Sequence, residues 1–201
     1  LQKTPGYADL MMNIGIIYGK KGDFENAFDY CTKSKAIMDN LNLQKTSGYA
    51  DLMMNIGIIY GEKADLTKAL GYYMNSKTIM DSLALQKTVG YADLMMYIGI
   101  VYDNRDDPES ALGYYVKSKT IMDSLDLQKT SGYAELLMNM GIIYSKKGEI
   151  VSALEYYIKS KAIMDSLGLQ KTPGYADLMM NMGIIYSKKN DPESALDYYI
   201  K

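Results

Sequence analysis

Apolar residues in this chain follow helical patterns that return every 42 residues. The stretch Gly6–Tyr18, GYADLMMNIGIIY, recurs with few changes from Gly48, Gly90, Gly132 and Gly174. A fixed period of this length belongs to stacked arrays, in which each unit buries its apolar face against its neighbours. Placed at 100° per residue, the stretch carries two apolar stripes. Tyr7, Leu10, Met11, Ile14, Ile17 and Tyr18 point one way and form the expected core stripe. Met12 and Ile16 point almost opposite, where a surface helix is ordinarily polar.

Start and stop signals frame this segment as helix A. Thr4 is a good N-cap, its hydroxyl able to accept an orphan backbone N–H, and Pro5 stands at the first helical position, where a missing N–H costs nothing. Helix A is expected to run to about Lys20 and to stop near Gly22, which becomes Ala64, Asp106, Gly148 and Asn190. Gly, Asn and Asp tolerate a left-handed residue there; Ala64 fits less well. A second cap follows at once in Asp23, Asp65, Asp107, Glu149 and Asp191, twice with Pro next (Pro108, Pro192). Adjacent stop and start signals predict an antiparallel helix pair. Helix B, about Phe24 to Leu41, places Ala27, Tyr30, Cys31, Ser34, Ile37, Met38 and Leu41 on one face and Glu25, Asp29, Lys33 and Asn40 on the other. Helix A, apolar on two sides, is therefore expected to be the inner layer. Gly15 and Ala27 recur in every unit, where the two helices can approach closely; glycine within a helix costs about 1 kcal/mol relative to alanine, so its retention points to packing. The pattern predicts an all-α chain of ten helices in one array, with repeats 1–42, 43–84, 85–126, 127–168 and a shorter 169–201.

Charge and composition narrow the function by exclusion. The net charge is −2, with one arginine (Arg105) and no basic stripe, so a nucleic-acid partner is not expected. Histidine is absent, which removes the commonest general base and metal ligand. No phosphate loop, paired-cysteine motif or nucleophile elbow is present. Carboxylates recurring with the repeat describe a duplicated surface rather than one convergent site. No enzyme activity, cofactor or metal is expected. The single Cys31 excludes an internal disulfide and fits a reducing, cytoplasmic setting. It stands where later repeats have Tyr73, Tyr115, Tyr157 and Tyr199. No apolar run is long enough to span a bilayer, so no membrane association is expected. The chain begins and ends in mid-repeat, so a longer parent with targeting signals or a catalytic domain of its own is compatible with these residues.

Asn13-Ile14-Gly15-x-x-Tyr18, then Gly22-Asp23-Phe24-x-x-Ala27 and an aromatic four residues later in the other units, resembles the tetratricopeptide repeat. Repeat 4 is fullest, from Asn139-Met140-Gly141-x-x-Tyr144 through Ala153 to Tyr157. The 42-residue unit is similar to the longer variant of kinesin light chains and bacterial regulatory arrays. Two family positions differ: the Trp near the start of helix A is Met11, and the closing Pro is Asp39. The resemblance implies a right-handed α-solenoid of five stacked antiparallel helix pairs. It also implies a concave groove, lined by the A helices, that binds extended or helical peptides.

Three ladders face that implied groove. The apolar one is Met12, Met54, Met96, Met138 and Met180 with Ile16, Ile58, Ile100, Ile142 and Ile184. These either pack between neighbouring A helices or line the groove, and their direction, opposite the core stripe, favours the groove. Methionine is a flexible contact residue suited to adaptable recognition. Asp9, Asp51, Asp93, Glu135 and Asp177 border the stripe, as solvated first-turn acids or as an acidic edge. Asn13, Asn55, Asn139 and Asn181 form the third, able to hold a peptide backbone and interrupted at Tyr97, which instead marks a local pocket. The expected partner is a protein or peptide with an apolar strip flanked by basic residues. The alternative is a structural spacer that associates with copies of itself through exposed repeat ends.

Overall fold

A computed structural model describes residues 4–200 of the chain; the connector Leu1–Lys3 and the terminal Lys201 lie outside the described residues. Ten α-helices follow one another, and no strand occurs among the described residues. The A helices are α1 (Pro5–Lys20), α3 (Ser47–Glu62), α5 (Val89–Asn104), α7 (Ser131–Lys146) and α9 (Pro173–Lys188). The B helices are α2 (Phe24–Asn40), α4 (Leu66–Ser82), α6 (Pro108–Ser124), α8 (Ile150–Ser166) and α10 (Pro192–Ile200).

The caps act as their chemistry requires. Thr4 Oγ1 accepts from the Tyr7 N–H at 3.3 Å, and the same bond recurs at Thr46, Thr88, Thr130 and Thr172. Asp23 Oδ1 accepts from the Asn26 N–H at 3.1 Å. Glu149, one methylene longer, makes no such bond. The A-to-B turn needs one left-handed residue: Gly22 (φ 76°), Ala64 (58°), Asp106 (59°), Gly148 (77°) and Asn190 (57°). A second left-handed residue lies between repeats at Asn42, Ala84, Asp126 and Gly168. Alanine has no local hydrogen bond to offset the steric cost of this conformation. Ala64→Gly and Ala84→Gly are therefore each expected to stabilise by about 1 kcal/mol, read as a rise in urea midpoint at unchanged slope.

The chain divides into two compact units, residues 1–105 and 106–201. In the first, α1 pairs with α2 and α3 with α4, α2 and α4 lean on the following A helix, and α3 touches both α1 and α5. In the second, α7 pairs with α8, α9 with α10, and α7 also touches α9. The A helices are the inner layer of each unit, as expected.

Within a pair, glycine sets the distance between the helices. A Cβ added to Gly57 would lie 2.5 Å from the Tyr73 ring, and one on Gly141 2.5 Å from the Tyr157 ring. Beside this contact a second tyrosine from each helix stacks face to face: Tyr18 on Tyr30, Tyr60 on Tyr72, Tyr144 on Tyr156 and Tyr186 on Tyr198, with centroids 5.2–5.5 Å apart. Tyrosine is abundant because each pair uses several.

The core stripe holds in four repeats and fails in the first. Leu10 and Ile17 are 50% and 55% exposed, whereas Leu52, Leu94, Leu136 and Leu178 are fully buried, as are Ile59, Val101, Ile143 and Ile185. These two positions face the preceding helix pair, and α1 has none among the described residues.

Asp39, the departure from the family's proline, holds consecutive repeats together. It accepts from Lys35 Nζ at 2.7 Å, from the Tyr49 hydroxyl at 2.8 Å and from Gln44 at 3.2 Å. The same knot recurs at Asp81, Asp123 and Asp165. Asp123 is thus held by Lys119, Tyr133 and Gln128 rather than left at a solvated helix end. At Asp39, Asp81 and Asp123 burial pushes the carboxyl up, but the bonds from lysine and tyrosine outweigh it and hold each below the usual carboxylate range. At Asp165 the Lys161 bond is the largest influence, in the same direction. A carboxylate depressed in the folded state adds stability above its unfolded pKa and loses it as pH falls through the folded one. Acid should therefore lower the melting temperature as pH drops below about 4, and Asp123→Asn should flatten that dependence in scanning calorimetry.

Candidate functional site

The three ladders occupy the inner helices, where burial differs from rung to rung. In the first unit Met12, Met54, Ile16, Ile58 and Ile100 are partly buried, whereas Met96 is only 3% exposed. In the second unit Met138 is 8% exposed, Ile142 is partly buried, and Met180 and Ile184 are open at 51% and 38%. The expectation that every methionine of the ladder projects freely is thus corrected at Met96 and Met138. For Met138 the cause is visible: it belongs to the apolar cluster of Tyr157, Leu178, Met179 and Met182, where the next A helix packs. Among the described residues no later A helix packs against Met180.

The acidic ladder divides in the same way. Asp9, Glu135 and Asp177 are exposed, while Asp51 and Asp93 are partly buried. Burial holds the carboxyls of Asp51 and Asp93 above the usual range. A cation seated beside them would relieve that cost. In the amide ladder Asn13 is exposed and Asn139 and Asn181 are partly buried. Asn55 Nδ2 donates to the Asp51 carbonyl at 2.9 Å, which fixes the side chain over its own helix.

One part of the site gathers residues from three A helices. Ile16, Asn55, Ile58 and Tyr97 line a cavity of about 500 Å³ that also reaches Gly15, Gly19 and Cys31. Tyr97 stacks on Tyr73 with centroids 5.9 Å apart. Cys31 is fully buried, and burial pushes its thiol up to about 11. The thiol is therefore a neutral, apolar wall of the cavity at neutral pH. Tyr97 was expected to mark a pocket; that Cys31 forms another wall of the same cavity depends on both helices being in place.

Among the described residues no group of His, Cys, Asp and Glu could hold a metal ion, and no helix is long and apolar enough to cross a membrane.

Models of the tetratricopeptide repeat match residues 132–201 and 8–37. No curated protein matches the chain at the sequence level. Among solved structures, the chain is similar to BtubC (BKLC) from P. vanneervenii, with a TM-score of 0.80 at 18% identity, covering 96% of this chain and 77% of that one. A putative kinesin light chain from Podosopora anserina, described as nearly identical TPR-like repeats, superposes with a TM-score of 0.74 at 11% identity, covering 98% and 93%. The MamA protein follows at 0.60 and 18%, covering 96% and 88%. At these identities the likeness speaks for the fold: an all-α solenoid of stacked helix pairs, of a kind that commonly mediates protein–protein interaction. The in-register 42-residue units, the two matching family models and the shared helix-pair architecture make this chain a tetratricopeptide-repeat array.

Proposed function

We infer that the chain is a non-catalytic scaffold that binds a protein or peptide segment along the inner face of its A helices. The observation that carries this reading is the apolar surface left open on the A helices of each unit: the cavity lined by Ile16, Ile58 and Tyr97 in the first, and the exposed Met180 and Ile184 in the second. Apolar side chains clustered on an inner face mark interaction surfaces, whereas single exposed ones do not. Asp51 and Asp93, held above their usual range by burial, favour a partner carrying Lys or Arg beside its apolar strip. Binding of such a partner weakens as salt screens the acidic border.

The test pairs a binding titration with a melting curve. A peptide is selected against the array from a displayed library, and its affinity is compared for the parent and the Met180→Lys/Ile184→Lys double variant. The melt should hold, because both sites are open, while affinity falls by about tenfold or more, since burying one such side chain contributes about 1.5–3 kcal/mol. Selected peptides lacking an apolar strip, or unaffected by the double variant, would contradict the reading.

A second reading rests on the exposed Leu10 and Ile17 of α1 and the exposed Tyr199 of α10, whose counterparts Tyr73, Tyr115 and Tyr157 are buried. These are the two faces that consecutive repeats press together elsewhere, so copies of this chain can stack head to tail. Sedimentation should then show self-association that Leu10→Lys with Ile17→Lys abolishes. A concentration-independent monomer would exclude it.

A further inference from the structure

The repeats differ from one another at few positions, and one difference coincides with a cavity. In α4 and α8 a tyrosine ring lies across the glycine of its partner A helix, Tyr73 over Gly57 and Tyr157 over Gly141. From Gly57 the Tyr73 side chain runs on along the helix, until its hydroxyl lies 3.8 Å from where a Cβ on Gly61 would be. In the first repeat the same site holds Cys31. Its sulfur reaches only Gly15, 2.7 Å from where that residue's Cβ would be. Gly19, the counterpart of Gly61, has only the Ala27 Cβ near it, at 3.9 Å. The path that a tyrosine ring takes in the second repeat is therefore empty in the first. The cavity of about 500 Å³ occupies that path.

The walls are those of a ring site. Tyr97, which already stacks on Tyr73, borders the cavity, and Ile16, Ile58 and the Cys31 sulfur supply apolar contact. Lys20 and Glu62 also line the cavity and offer a phenol oxygen a donor or an acceptor. An apolar cavity of about 150 Å³ is enough to bind benzene. The space here admits a ring together with the chain that carries it.

We propose that this cavity receives one aromatic ring, a tyrosine or phenylalanine side chain of the bound partner, in the place that the array's own tyrosine fills in other repeats. The proposal rests on the scaffold reading and adds the residue type that anchors the partner. It commits to a side chain rather than a free metabolite because the cavity lies on the inner face where a bound segment would run, continuous with Ile16 and Ile58.

The probes are p-cresol, which is the tyrosine side chain alone, and the capped peptide acetyl-Ala-Ala-Tyr-Ala-Ala-amide, titrated into the full chain. Both should bind saturably, with nuclear Overhauser contacts from the ring to the methyls of Ile16 and Ile58. Cys31→Tyr should fill the space, melt no lower than the parent and weaken both probes by about tenfold or more. Those Overhauser contacts are made on the parent chain, so the site is located even if Cys31→Tyr fails to fold. Absence of saturable p-cresol binding overturns the proposal, as does binding that survives Cys31→Tyr. Binding of p-cresol but not of the peptide overturns the side-chain source and leaves a small-ring site. Failure with p-cresol is distinct from failure of the scaffold reading, which the Met180→Lys/Ile184→Lys variant tests in the other unit.

Discussion

Met138→Lys is expected to destabilise the second unit by about 3–5 kcal/mol, whereas Met180→Lys should change stability by no more than about 0.5 kcal/mol. The two methionines occupy the same position of consecutive repeats, so helix propensity and repeat context are matched. Only their surroundings differ: Met138 is 8% exposed among Tyr157, Leu178 and Met182, and Met180 is 51% exposed. Burying a methionine contributes about 1.5–3 kcal/mol, and an ammonium in its place adds the cost of desolvating a charge with no partner in the cluster. The lysine stem can reach toward solvent and recover part of that. It cannot also fill the volume that the thioether leaves. Urea unfolding of the two variants, followed by far-ultraviolet circular dichroism, measures the difference directly. Equal midpoints would mean that the methionine ladder is not divided as described.

The second large effect is expected at the inner glycines. Gly57→Ala places a methyl 2.5 Å from the Tyr73 ring, and Gly141→Ala does the same at Tyr157. Both rings are almost fully buried, at 3% and 1% exposure, so neither can swing aside into solvent. Tyr73 is further held by its stack on Tyr97. The helices must separate instead, and overpacking of this kind costs about 1–3 kcal/mol, against which alanine's helix propensity returns about 1 kcal/mol. In the first repeat the same change meets the Cys31 sulfur at 2.7 Å and the Ala27 carbonyl oxygen at 3.0 Å. The backbone there cannot yield any better, so Gly15→Ala should be no milder. Pairing Gly57→Ala with Tyr73→Ala should restore part of the loss, because the two changes share one contact. Additive losses would place the clash elsewhere.

The helices were legible because each boundary has a local cause. Thr at every A-helix start, Asp at most B-helix starts and a residue tolerant of positive φ between them act within a few residues of backbone. The inner position of helix A was also legible, since two apolar stripes leave no face for water. Burial along the ladder was not legible, because Met138 and Met180 have nearly the same neighbours in sequence and differ only in what the next helix covers. The same reason exposes Leu10 and Ile17, which a single-helix projection places in the core. The aspartate knot had a signal that went unread. Lys35, Asp39, Gln44 and Tyr49 recur together three more times at fixed spacing, and such a set implies a shared bond network. Cys31 was visible as an exception, but its consequence depends on the course of Tyr73 along the neighbouring helix, which no periodicity contains.

The measurement that tests the scaffold reading most directly is a methyl-resolved NMR titration of the chain with a peptide selected for binding. The account predicts that shifts concentrate on the inner face, at Ile16, Met54, Ile58, Met180 and Ile184. It predicts little change at Val151 and Ile158, which are 75% and 50% exposed on α8. Shifts confined to Val151 and Ile158, with the inner methyls silent at saturation, would place the partner on the outer helices and contradict it.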